Sequence, residues 1–251
     1  MTTAILYRIA SGIPGALTRT QEATVESGLY DATKPFAAYG LAVVHGALKL
    51  RPPAAGDSET DIRGLLVRPY PLQTTQSEAL GTSTPPTAGI ADFLTRGFMT
   101  VALNAGTAVK GASAYVRIAS ASTGKPIGGI EAAYENGSTA IAADAGNTGN
   151  ATGAMNSTDT ATGVMPGVYR IVNLTATTFA VFDPNGVEIG KGVFGTLFNG
   201  VIKFTITAGG TPCVIGDAFS VTVTPNTILV PKLRFIGPAD SNGITEVGFN
   251  I

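Results

Sequence analysis

Cysteine, histidine and tryptophan are nearly missing from this 251-residue chain, which holds one Cys, one His and no Trp. One cysteine cannot close an internal disulfide, and with one histidine it cannot build a Cys/His zinc centre. Charge is scarce too. Asp, Glu, Lys and Arg make up 13% of the residues, sixteen basic against seventeen acidic, for a formal net charge of −1. A near-neutral chain without a basic cluster lacks the electrostatic footprint of a nucleic-acid binder. Long apolar runs are absent as well. The uncharged stretches 97–109 and 204–216 are interrupted by Gly, Thr, Asn or Pro, short of the roughly 18 consecutive apolar residues a membrane-spanning helix needs. The opening MTTAILYRIASGIPG has no basic stretch ahead of an apolar core and does not read as a secretory signal.

What is present points to a packed β protein. Hydrophobic residues make up 44% of the chain, with 32 Gly and 15 Pro, and mean hydropathy is +0.27. That apolar content argues against disorder, and the length suffices for one large or two ordinary domains. Soluble proteins usually rely on charged surfaces. A chain with few charges and no membrane segment is expected to bury surface against partners instead.

Helix signals are sparse, while Thr, Val, Gly and Ala dominate in short apolar runs separated by turn residues. Strands are predicted at 40–44, 63–68, 98–103 and 113–119. The one helical turn expected lies at Ile90–Thr95, after Pro85-Pro86. From Asn136 through Phe182 the only charges are Asp144, Asp159 and Arg170, and the Gly/Ala/Thr/Asn/Ser tract over 136–163 reads as a long loop or linker. A compact series follows at 168–174, 178–182 and 187–189, the last two joined by Asp183-Pro184-Asn185-Gly186, a turn sequence with glycine suited to φ > 0. Residues 201–207 and 218–224 alternate with period two, as half-buried antiparallel strands do. Residues 233–236 and 245–249 add further strands near the end. The expected organisation is a discontinuous main domain, 1–145 with 225–251, carrying an inserted β-sandwich over 146–224.

Motifs with chemical associations have plainer explanations. His45 lies in VVHGAL with no visible nucleophile or orienting carboxylate, so it reads as a strand-end histidine and not a base. Asp57, Glu59 and Asp61 resemble the start of a calcium loop, but the sixth and twelfth positions are Ile62 and Arg68 where Gly and Glu belong; a solvated turn is expected. Gly190-Lys191-Gly192-Val193-Phe194-Gly195 matches GxGxxG yet lacks the strand-to-helix setting of a dinucleotide site. Thr123-Gly124-Lys125-Pro126 fails as a phosphate loop because Pro126 replaces Ser/Thr. The sequons at Asn150, Asn156 and Asn173 are expected by chance in a Thr-rich chain. Cys213, in TPCVIG, reads as a buried small hydrophobe. No catalytic, cofactor-binding or metal-ligating residue is predicted, and no enzyme activity. The apolar arm Ile5, Leu6, Tyr7, Arg8 and Ile9 is the candidate partner interface, either as an edge strand of its own domain or by strand addition to a neighbour.

Residues 14–44, with ATVESG at 23–28 and PFAAYGLAVV at 35–44, resemble the opening of tailed-phage capsid cement proteins. Arg63–Arg68, Tyr115-Val116-Arg117, Leu233–Ile236 and Glu246–Asn250 resemble further strands of that family in the same order. Gly167–Arg170, Phe182–Gly186, Phe198–Ile206 and Ile215–Val223 look like a β module recurrent in phage virion proteins. The resemblance implies an all-β protein, a compact β-barrel or β-tulip-like main domain with an inserted, outward-facing Ig-like sandwich. It also implies a virion protein on the capsid outer surface, made in the host cytoplasm, that stabilises the expanded shell. The partners it implies are the major capsid protein and itself, as a dimer or trimer, with no nucleic acid, membrane or cofactor. The alternative is a tail or baseplate protein binding host glycans through aromatics such as Tyr169, Phe194 and Phe198.

Overall fold

The computed structural model describes residues 12–46, 48–69, 84–138, 140–157 and 164–251. The architecture is all-β. In chain order the strands are β1 (Thr24–Tyr30), β2 (Ala42–His45), β3 (Lys49–Arg51), β4 (Ile62–Leu66), β5 (Ile90–Ala105), β6 (Ser113–Arg117), β7 (Ile130–Glu131), β8 (Asn136–Ser138) and β9 (Ala142–Ala143). They continue as β10 (Thr152–Ser157), β11 (Gly167–Asn173), β12 (Thr178–Phe182), β13 (Glu188–Val193), β14 (Phe198–Asn199), β15 (Lys203–Thr207), β16 (Ala218–Pro225), β17 (Thr227–Phe235) and β18 (Ile244–Phe249). The chain forms two compact units: Met1–Tyr134 with Thr227–Ile251, and Glu135–Asn226.

In the first unit nine strands run in the order β1-β3-β2-β4-β5-β18-β17-β6-β7. The unit is all-β, and its strands do not close into one barrel of the β-barrel or β-tulip-like kind that the resemblance implies. Two groups instead fold back on β5, since β1 also pairs with its first half and β7 with its end. Gly97 marks the handover along β5: Arg96 is the last partner of β1, and Gly97 is the partner of Phe249 on β18. Its φ of +126° suits only glycine, and a Cβ there would lie 3.0 Å from both the Ala23 Cα and the Glu22 carbonyl oxygen.

The helical turn expected at 90–95 is therefore wrong, because these residues open the longest strand. Ala91 and Phe93 are buried while Ile90 is exposed and Asp92 half-buried. That alternation feeds pairing with both β1 and β4, and long-range pairing overrides a weak local helix signal. Two apolar clusters fill the unit. One joins Leu65, Leu94, Met99, Val116, Phe235 and Phe249; the other joins Tyr30, Phe36, Leu50, Leu66 and Phe93. Each such fully buried side chain contributes about 1.5–3 kcal/mol.

The second unit pairs a six-stranded sheet, β13-β12-β11-β16-β8 with β9 also on β16, with a three-stranded sheet, β10-β15-β14. One core serves both: Tyr169, Phe179 and Phe219 from the larger sheet meet Phe198, Phe204 and Ile206 from the smaller. The Asp183–Gly186 turn forms as read, with the Asp183 carboxylate accepting the N–H groups of Asn185 and Val187 at 2.9 and 2.8 Å. The tract 136–163 is not simply a linker. β8 and β9 pair with β16, and β10 pairs with β15. Its small residues permit the close packing: a Cβ on Gly153 would lie 2.6 Å from the Ile141 side chain.

Candidate interaction surfaces

The predicted arm Ile5, Leu6, Tyr7, Arg8 and Ile9 lies outside the described residues. The remaining sequence candidates resolve into structural roles. Among the described residues no group of three or more His, Cys, Asp or Glu is placed to hold a metal ion. The acidic turn is consumed internally. Asp57 takes both guanidinium nitrogens of Arg51 at 2.7 and 2.9 Å together with the Ala54 N–H at 2.6 Å, while Asp61 accepts from the Ser58 N–H and hydroxyl. These bonds hold both carboxyls below the ordinary aspartate range, Arg51 being the main cause for Asp57 and the Ser58 N–H for Asp61. The GxGxxG run lies on β13 and the turn after it, where glycine makes room for aromatics: a Cβ on Gly192 would lie 2.3 Å from the Phe179 ring. Tyr169 and Phe198 are buried core residues, and the half-buried Phe194 packs on the same cluster with its ring 6.1 Å from that of Phe179, so the three rings are drawn into the core and do not stand out as a glycan platform. Cys213 is buried and free.

Asp217, which the sequence presents only as part of the Ile215–Val223 module, organises its surroundings. It is buried and accepts the N–H groups of Thr148, Gly149 and Val214 at 2.9, 2.9 and 3.0 Å. Those backbone donors, Thr148 first, hold its carboxyl below the ordinary range. The neighbouring Asn147 side chain both donates to the Ala218 carbonyl and accepts its N–H, fastening the 144–150 loop to β16.

The surface feature with the most chemistry is a cleft of about 410 Å³ on the first unit. Glu26 comes from β1, His45 from the end of β2, Arg63 from β4, and Phe93 and Thr95 from β5. Lys232 on β17 and Asn250 after β18 complete it. Phe93 is buried, with the His45 ring 6.2 Å from its own.

Three of these residues fall where a β ladder slips. Val43 and Val44 pair with Gly64 and Ile62, so Arg63 is passed over. Thr24 and Val25 pair with Arg96 and Leu94, passing over Thr95. Val230 and Arg234 pair with the adjacent residues Ala114 and Ser113, leaving Pro231-Lys232-Leu233 as extra chain. Bulges re-aim side chains that regular pleating would place elsewhere, and here three of them supply one cleft. The Thr95 carbonyl takes the Asn250 side-chain amide at 2.7 Å, and Asn250 itself adopts φ +52°. Burial, and after it the like charge of Arg63, pushes the Lys232 ammonium below the ordinary lysine range, with Glu59 pulling the other way.

Two further features lie on the same unit. Leu29 on β1 and Ile90 on β5 are cross-strand partners, and both are exposed, at 53% and 74%. Leu48, before β3, is 82% exposed. As sequence, His45 reads as a strand-end histidine, and Arg63, Thr95, Lys232 and Asn250 carry no chemical motif. The available signal was a charged residue within an apolar strand of a charge-poor chain, as in IRGLLV and VPKLRF.

Residues 1–165 match the family model of the XM1 gp53 minor capsid protein. No curated protein matches. Two crystal structures of Xanthomonas campestris FlgL are similar at 21% identity and a TM-score of 0.29, covering 39% of this chain and 32% of theirs. This chain thus spans less than a third of the FlgL length, and a likeness at that TM-score carries no weight for fold or function.

Proposed function

We propose a shell-reinforcing role from one premise: the chain belongs to the XM1 gp53 minor capsid protein family and is therefore a structural protein of the bacteriophage virion. In this proposal it binds the outer surface of the expanded capsid at junctions between major capsid proteins, and stabilises the shell against internal DNA pressure. The first unit grips the shell and self-associates, with Ile5–Ile9 as a contact segment, and the Glu135–Asn226 unit projects outward. The observation that carries the proposal is the family match over 1–165, which takes in all of the first unit's first segment. The low charge of the chain and the exposed Leu29, Leu48 and Ile90 support it, since the centres of protein interfaces are depleted in charge and richer in apolar contact. A protein that binds the assembled shell and not its dissociated subunits stabilises the shell by mass action, about 2.7 kcal/mol per site at a hundredfold excess over Kd.

Co-sedimentation with expanded shells stripped of this protein tests the proposal. Saturable binding at a fixed ratio to the major capsid protein is expected, and a variant with a short Gly/Ser linker replacing 135–226 should bind equally well. No binding by the folded wild-type chain refutes the capsid role, whereas loss of binding only in the shortened chain refutes the division of labour between the units.

A further inference from the structure

We infer that the bulge-lined cleft on the first unit receives a carboxylate side chain from its protein partner, with Arg63 and Lys232 as the paired cations. The partner's identity as the capsid shell rests on the role proposed above; the binding chemistry does not.

The charges in the cleft are unspent. The ion pairs Arg19–Glu246, Arg51–Asp57, Arg117–Glu131, Arg170–Asp144 and Lys191–Glu188 use neither Arg63 nor Lys232. Those two meet from strands far apart in sequence, and each lies in a register slip, so the ladder gives up regular pairing where it presents them. Lys232 is half-buried, its ammonium lying 5.3 Å from the Phe249 ring centroid. Two neighbouring cations, one partly desolvated, repel each other until an anion sits between them. Glu26 faces the same cleft and Glu59 flanks Lys232 in an adjoining hollow. Within the 410 Å³ cleft two cations therefore face one carboxylate, with His45 as the remaining titratable group. That balance favours one incoming carboxylate and disfavours a polyanion. Arg63 can present a bidentate fork to such a group while Lys232 acts as a point charge.

The test titrates the full-length protein, labelled with nitrogen-15, with a capped peptide carrying a single glutamate (acetyl-Gly-Gly-Glu-Gly-Gly-amide) at low ionic strength. Saturable shifts of the Asn250 side-chain amide and the Thr95 backbone amide are expected, lost at high salt because exposed charges are screened. Replacing both cations (Arg63→Gln with Lys232→Gln) should weaken peptide binding about tenfold or more, the scale of losing charge-assisted hydrogen bonds. Glu26→Gln removes the opposing carboxylate and should tighten binding, a gain that misfolding cannot imitate. Absence of shifts in the wild-type protein, or equal affinity in the double variant, overturns the inference. On stripped shells, a double variant that binds as tightly as wild type overturns it too while leaving the capsid role standing. Failure of the wild-type chain to bind shells refutes the capsid role and leaves the peptide titration to decide the cleft.

Discussion

Arg117 and Glu131 form an ion pair sealed inside the first unit, and its removal should be the most damaging single change available there. Both side chains are fully buried, with Nε to Oε1 at 2.6 Å and Nη2 to Oε2 at 3.2 Å. Arg117 also donates to the carbonyls of Ala119 and Ser120 at 3.3 and 3.0 Å, so its Nη1 shapes the turn in which Ser120 takes φ +53°. Glu131→Gln keeps the volume and removes the charge, leaving the buried guanidinium facing a neutral amide in place of the carboxylate. Stranding one partner of such a pair costs about 3–5 kcal/mol. For a unit of this size that is a fall in Tm of roughly 6–20 °C. Arg117→Met should cost less, because a stranded carboxyl can take up a proton and become neutral while a guanidinium cannot lose one. Combining Arg117→Met with Glu131→Leu removes both charges and should recover most of the loss, giving a coupling energy of several kcal/mol in the double-mutant cycle. Differential scanning calorimetry is the assay, because the two units should melt separately and only the first should respond. A loss below about 1 kcal/mol for Glu131→Gln, or a double variant worse than the sum of the singles, would show that the pair does not hold β6 to β7 as argued.

Other expectations follow from packing and from titration. At Gly64 a Cβ would lie 2.2 Å from the Leu94 carbonyl oxygen, so Gly64→Ala must push β4 from β5 and should destabilise the first unit by about 1–3 kcal/mol in urea unfolding; an unchanged midpoint would contradict that register. Asp217 and Asp57 are both held below the ordinary aspartate range in the fold. Their stabilising bonds are complete above the unfolded-state value of about 3.9 and are lost as pH falls through the lower folded value, so each unit should weaken below about pH 4. Asp217→Asn should flatten that acid loss only in the second unit's melting transition, and Asp57→Asn only in the first's.

Pattern and turn chemistry made most of the strands legible. Alternation in 201–207 and 218–224 lies on β15 and β16, and Asp-Pro-Asn-Gly is the turn before β13. Two features misled for identifiable reasons. Ile90–Thr95 lacks a decisive local signal and becomes strand because β1 and β4 pair with it. The small-residue tract after Asn136 looks like linker because Gly, Ala and Asn carry little periodic signal. Yet small residues are what the packing there requires: Gly149, like Gly153, has no room for a side chain, a Cβ lying 2.5 Å from the Cys213 Cα.

The cleft was unreadable for a deeper reason. Strand periodicity assumes one residue per pleat, and Arg63, Thr95 and Lys232 are the positions where that count fails. A pattern reading that places Arg63 on one face of β4 and Lys232 on one face of β17 has no means of bringing them together, because each slip shifts the phase locally. Pro231 lowers the cost of the slip in β17, since it has no N–H to give to the ladder. Cutting this extra chain back is therefore a test of how the site arises. Deleting Pro231 alone keeps Lys232 but shifts it by one residue against Val230, reversing its period-two phase there, and should abolish the carboxylate response, even with Arg63 intact. Replacing Pro231 with Val leaves the slip in place and should preserve it.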